Sequence, residues 1–174
     1  MKKNILLGVI ALIFLLLIVG VAFAQTTGSG AQGRFPIPFQ AVDLYGNNVN
    51  ENFWGNKEYF FIYQTATWCG PCVQGMPALA QVAKDFGDRV GFIALLDDYR
   101  TNLNGAIRIT ENAGIPLDFI FVDARLDVMR SILALVSTGS IPSAVIIDRN
   151  GNKMMDPFHT AHARNRLNSL FSAR

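Results

Sequence analysis

The sequence predicts an α/β domain, a mixed central β-sheet flanked by helices on both faces, behind a hydrophobic N-terminal segment. Three observations carry this. Short apolar and aromatic runs of strand length alternate with stretches whose apolar residues recur every three or four positions. An Asn150-Gly151 pair near the end signals a hairpin, which adds an antiparallel edge to strands otherwise joined through helices. The chain's mean hydropathy of +0.27 has a local source: 19 of the first 24 residues are hydrophobic, and the rest of the chain has an ordinary globular composition.

Residues 1–24 read as a targeting element. Lys2 and Lys3 form a basic head, and an uncharged aliphatic run follows, interrupted only by Gly8 and Gly20. The run is long enough to span a bilayer, which favours a transmembrane anchor. Ala22-Phe23-Ala24 ahead of Gln25 matches the small-residue pattern of a signal-peptide cleavage site, which favours removal. Either outcome keeps the lysines in the cytoplasm and exports the remainder, to the periplasm or the outer face of the cytoplasmic membrane. The segment holds no cysteine to carry a lipid. Residues 25–34 (QTTGSGAQGR) are a flexible linker with a mean reach of roughly 15–18 Å. Lys2 and Lys3 are the only charges before Arg34, and without them the basic and acidic residues balance. A neutral domain of this kind excludes nucleic acid as a charge-driven partner.

Residues 35–174 then read as one domain. Two prolines and a Gly-Asn-Asn turn make 35–50 extended rather than helical. Residues 59–63 (YFFIY) form a strand buried on both faces. From Cys69 on, Val73, Met76, Leu79, Ala80, Val82, Ala83 and Phe86 recur at helical spacing up to Gly87, with Pro77 inside the helix. Residues 89–96 are a second buried strand, 101–113 a polar helix, and 119–122 a third strand. Residues 126–136 read as a helix with Leu126, Met129, Leu133 and Val136 inward. A strand at 144–148 pairs back through the Asn150-Gly151 turn with residues 153–155. Thr160 is expected to cap a last helix that carries Leu167, Leu170 and Phe171.

The chain has two cysteines, and both lie in Trp68-Cys69-Gly70-Pro71-Cys72, at the junction of a buried strand and a helix. Free N–H groups and the macrodipole at a helix start favour a thiolate, so Cys69 is expected to be the more acidic thiol. One helical turn brings Cys72 within bonding range. Cys69 could then attack a disulfide and Cys72 resolve the mixed disulfide. Gly70 and Pro71 leave room and stiffen the loop, and Trp68 would shield one side. A purely structural bridge is a weak alternative, because so short a loop stabilises little. A zinc site drawing on His159 and His162 is another, but two residues separate the histidines where zinc sites use three to five. Asp97 and Asp98, after the second strand, read as loop-solvating acids, one of which could approach the resolving thiol. There is no Gly-x-Gly-x-x-Gly or Walker loop, so no cofactor is expected beyond the Cys69–Cys72 redox pair itself.

On these residues the chain resembles the thioredoxin superfamily, and within it the exported thiol-disulfide oxidoreductases of the TlpA and ResA type. Trp68-Cys69-Gly70-Pro71-Cys72 follows a buried strand, Pro77 stands five residues past Cys72, and Ser140-Ile141-Pro142 precedes the strand at 144–148. The resemblance implies a thioredoxin-like fold with an N-terminal extension. It also implies a cis peptide before Pro142 and substrate binding by the backbone of Ile141 and by Pro142 across from the cysteines. Gly-Pro between the cysteines resembles reducing members. A reductase of protein disulfides is therefore expected, drawing electrons from a membrane donor and acting on exported clients such as apocytochromes c. The alternatives are a non-catalytic metal- or peptide-binding module and an oxidase or thiol peroxidase of the same superfamily. Peroxiredoxins resemble P-x-x-x-T-x-x-C, and here Thr65 and Thr67 stand four and two residues before Cys69, not three. Two positions depart from the resemblance. Tyr63 stands where thioredoxins place a buried acid, and Gly75 where ResA-type proteins place a glutamate.

Overall fold

A computed structural model describes residues 34–173. The expected leader at 1–24 and the linker up to residue 33 lie outside the described residues. Among the described residues no helix is long and apolar enough to cross a membrane.

The N-terminal extension forms a two-stranded antiparallel ribbon of β1 (Gln40–Val42) and β2 (Asn48–Asn50). Its turn is organised by Asp43, whose carboxylate accepts from the N–H groups of Tyr45 and Asn47 at 2.9 and 2.8 Å. The central sheet has the order β5-β4-β3-β6. In it β3 (Tyr59–Thr65), β4 (Val90–Leu96) and β5 (Phe119–Asp123) run parallel, and β6 (Ser143–Asp148) is the antiparallel edge. The mixed sheet and the helices on both faces are those the sequence predicts.

Strand alternation divides the core in two. Tyr59, Phe61 and Tyr63 of β3 face one side, where Met76, Leu79 and Val82 of α1 (Gly70–Phe86), Ala106 of α2 (Leu103–Ala113) and Leu167 of α4 (Ala163–Ser172) cover them. Phe60 and Ile62 face the other side, covered by Met129, by Ile132 and Val136 of α3 (Arg130–Val136), and by Phe35, Phe39 and Trp54 of the extension. The extension is therefore part of the core, and the Trp54 indole N–H donates to the carbonyl of Asp118 at 2.9 Å.

Three details differ from the sequence expectation. The stretch 126–136 is divided into a single 3-10 turn, Asp127–Met129, and the short helix α3. That division turns Ile132 fully inward and leaves Leu126 and Leu133 half-buried. Residues 153–155 pair back on β6 as expected, but through an isolated bridge of Lys153 with Ile147 and the Met154 N–H donating to the Ile146 carbonyl at 2.9 Å rather than as a strand. Asp148 shapes the Asn150-Gly151 turn by accepting from the N–H groups of Asn150 and Asn152 at 2.8 and 2.9 Å. Thr160 is not a cap but is buried inside a 3-10 turn (Thr160–His162) that precedes α4. The cap of that turn is His159, whose Nδ1 accepts from the Ala161 N–H at 3.2 Å.

Candidate functional site

β3 leads directly into the cysteine pair. After Thr65 the chain turns through Ala66, Thr67 and Trp68, and the Ala66 carbonyl accepts from the Cys69 N–H at 3.2 Å. Cys69 is the N-cap of α1, its backbone extended and its Sγ accepting from the Cys72 N–H at 3.2 Å. Pro71 sits in the first turn, where a missing N–H costs nothing. That turn carries no acidic residue, so no carboxylate of the turn opposes the positive end of the helix dipole beside Cys69. The two cysteines are joined by a disulfide, their Cα atoms 5.2 Å apart. Cys72 is fully buried, Cys69 retains 5% of its surface, and Trp68 beside it is 69% exposed. Gly70 and Pro71 are also exposed. Of the two cysteines, Cys69 is the one that keeps any exposed surface.

The sheet brings the second part of the site to the same place. β3 and β6 are antiparallel, with Gln64 opposite Ser143, so the start of β6 lies beside the end of β3. The Ile141–Pro142 peptide just ahead of β6 is cis, and Ile141 packs on Ala66, Cys69 and Cys72. Pro142 is buried, and the Ser143 hydroxyl donates to the Val136 carbonyl at 2.7 Å, tying this loop to the end of α3. Cys69, Cys72 and Ile141 thus form one small cluster, and Pro142 holds Ile141 against it.

Tyr63 and Gly75, the two positions that depart from the resemblance, have different surroundings. The Tyr63 side chain is wholly buried on the α1 side of the sheet, and burial pushes its phenol up to about 12. It is neutral at any pH at which proteins ordinarily work and supplies no charge to Cys72. Gly75 faces Thr160 across a groove of about 570 Å³ between α1 and the start of α4, which Pro71, Leu79, His159 and Arg164 also line. His159 and His162 are exposed.

Asp97 and Asp98 have opposite fates. Asp97 is half-buried, and burial raises its carboxyl above the usual range, partly offset by a hydrogen bond from the Gln64 amide at 3.3 Å. Asp98 is turned inward, 6% exposed, and accepts from the Thr67 N–H at 3.0 Å and from the Thr67 hydroxyl. By sequence alone both read as loop acids. Their only distinguishing signal is position, since alternation along β4 and its exit turns just one of two adjacent residues toward the cysteine loop.

No family model matches the chain. It is 36% identical over 53 residues to the thioredoxin-like protein YneN of Bacillus subtilis, a match that covers 30% of this chain and 25% of the relative. A thioredoxin-like protein of Synechocystis is 39% identical over 41 residues, which cover 24% of this chain and 38% of that one. The matched stretches thus span well under half the length of either curated relative. The fold aligns more widely. A thiol:disulfide interchange protein of the thioredoxin family from Chlorobium tepidum superposes with a TM-score of 0.61 at 20% identity, over 82% of this chain and 98% of that one. A secreted Mycobacterium tuberculosis disulfide oxidoreductase homologous to E. coli DsbE gives 0.59 at 15% identity, over 77% and 97%. The sheet order, the strand-to-helix cysteine pair and these superpositions agree: the chain has a thioredoxin-like fold.

Proposed function

We propose that the chain is an exported thiol-disulfide oxidoreductase that reduces disulfides in other proteins. The observation that carries this reading is the arrangement of the pair: Cys69 at the N-terminus of α1 beside the exposed Trp68 and Gly70, Cys72 fully buried, and Ile141 packed on both. In the reduced protein the Cys69 thiolate attacks a substrate disulfide. A Cys69–substrate bond forms, and one substrate sulfur leaves as a thiolate that takes up a proton. Cys72 then loses its proton and attacks the Cys69 sulfur. The Cys69–Cys72 disulfide closes and the second substrate sulfur is released, so two electrons pass to the substrate. Regeneration needs two electrons and two protons from a dithiol donor at the membrane. No acid stands at position 63 or 75, so the Cys72 proton goes to water or to an acid from elsewhere in the chain. Extended client peptides would lie along Ile141 and Pro142, and exported proteins, apocytochromes c among them, are the client class. The Gly70-Pro71 pair supports the reducing direction, and the apolar leader supports export.

A Cys72→Ser variant expressed in cells, with thiols trapped in acid, tests the reading. Mixed disulfides between Cys69 and exported proteins are expected, and so is insulin reduction by the wild-type protein. Stoichiometric zinc or copper on the purified protein, with no insulin reduction, would overturn it. A potential near −120 mV would reverse the direction of electron flow.

A further inference from the structure

The loop that presents Cys69 is anchored from outside the cysteine motif, and the anchor is Asp98. The turn from Ala66 to Cys69 is closed by a single backbone bond. The N–H of Thr67, the second residue of that turn, is taken by the Asp98 carboxylate, with Oδ1 at 3.0 Å and Oδ2 at 3.3 Å. The Thr67 hydroxyl donates to the same Oδ2 and accepts from the side-chain amide of Asn102 at 2.7 Å. Three contacts therefore converge on the residue two positions before the reactive sulfur. Among the described residues, no other side chain of the loop 66–68 makes a hydrogen bond. Trp68 stands 69% exposed.

Asp98 is itself immobilised. Its carbonyl accepts from the N–H groups of Thr101 and Asn102 at 3.1 and 3.0 Å and from the Thr101 hydroxyl at 3.2 Å. Asn102 is the residue from which α2 starts, and its carbonyl accepts the Ala106 N–H at 3.0 Å. The cysteine loop is thereby fastened to the exit of β4 and the first turn of α2, two regular elements. The buried carboxylate itself accepts from two groups of one residue, the Thr67 N–H and hydroxyl, and holds them more firmly than a neutral acceptor would.

We propose that Asp98 is a positioning residue for the redox pair: through Thr67 it fixes the turn that places Cys69 at the start of α1, and so sets how readily the Cys69 thiolate forms. The proposal rests on the dithiol reading of the site. It concerns position, whereas the charge of Asp98 acts in the opposite direction, since a nearby anion disfavours a thiolate. Two variants separate the effects. Asp98→Ala removes both acceptor and charge. Asp98→Asn keeps an oxygen for the Thr67 N–H, removes the charge, and puts an amide NH2 where Oδ2 accepts from the Thr67 hydroxyl.

The test uses the reduced full-length protein, iodoacetamide as the thiol probe and glutathione as the redox reference. Asp98→Ala is expected to slow Cys69 alkylation at neutral pH by about tenfold, to move the pH profile of that reaction upward, and to make the reduction potential more negative. Asp98→Asn, which keeps the contact to the Thr67 N–H, is expected to restore both readouts in part. Thr67→Ala, which deletes the hydroxyl and keeps the N–H contact, is expected to give a smaller loss in the same direction. It also decides the matter if Asp98→Ala does not fold. Unchanged rates and potential in a folded Asp98→Ala protein would overturn the proposal, as would an Asp98→Asn protein as impaired as Asp98→Ala, or, in place of an unfolded Asp98→Ala, a wild-type-like Thr67→Ala. Both probes are small molecules. A wild-type protein that alkylates as expected but reduces no protein disulfide therefore overturns the functional reading alone.

Discussion

The Sγ of Cys69 accepts a hydrogen bond from the backbone N–H of Cys72 at 3.2 Å, so the sulfur occupies the place that a serine or aspartate oxygen takes at an ordinary helix start. In the reduced protein the same N–H, together with the helix dipole, favours the thiolate of Cys69 over that of Cys72. Cys69 is expected to be alkylated first, with a pH profile centred below the roughly 8.5 of a free thiol. Cys72, fully buried, follows far more slowly. Mass spectrometry of a timed iodoacetamide reaction across pH checks this, and equal rates for the two cysteines would contradict the helix-terminus account.

Tyr63 predicts the alkaline behaviour of the fold. Its hydroxyl and that of Thr65 are buried with no hydrogen-bond partner among the described residues, and burial pushes the phenol up to about 12, against about 10 in the unfolded chain. Between those values the unfolded chain gives up a proton that the folded chain keeps. The unfolded state then binds fewer protons, so stability falls as pH rises. The contribution of Tyr63 is absent below that window and at most ~1.4 kcal/mol per pH unit within it. Tyr63→Phe is expected to flatten this part of the curve. It should also match or exceed wild-type stability at neutral pH, because it deletes an unpaired buried hydroxyl. Urea midpoints of the two proteins on both sides of pH ~10 are the measurement, and parallel curves would show that the phenol ionises normally.

Gly91 is required by packing, not by backbone conformation. It stands opposite Phe60 in the β3–β4 register, and a Cβ built on it would lie 2.8 Å from the Phe60 ring and 2.9 Å from Trp54. Both rings are buried in the layer that seats the N-terminal extension on the sheet. Gly91→Ala is expected to cost about 1–3 kcal/mol as the rings are forced apart. A lower urea midpoint and a changed tryptophan emission would report it. An unchanged midpoint would mean that the Trp54 layer is looser than its contacts imply.

Much of this fold was legible because its signals are local. The run Tyr59 to Tyr63 can only be a buried strand, and the apolar spacing from Val73 to Phe86 defines α1 together with the face it buries. The register of a seven-residue helix was not legible. In Ser131-Ile132-Leu133-Ala134-Leu135, several apolar residues compete for one inward position, and docking against Ile62 and Met129 rather than periodicity selects Ile132. The start of α4 escaped for a similar reason. Thr160 and His159 are both able to cap, and the burial of Thr160 in the tertiary structure leaves the role to His159.

The sequence by itself determined the chemistry available to this protein: two cysteines one helical turn apart, a strand before them, a helix after them, and an Ile141-Pro142 pair ahead of a later strand. Those properties depend on neighbours a few residues away, and a chain carries such information in its order. Only the tertiary structure decided what surrounds the cysteines. The antiparallel pairing of β3 with β6 carries Ile141 onto Cys69 and Cys72, and the parallel pairing of β3 with β4 carries Asp98, and not Asp97, onto Thr67. Such contacts join residues far apart in the chain. They exist only once the sheet has closed and desolvated them, and no local pattern reports which of two adjacent acids will face inward when it does.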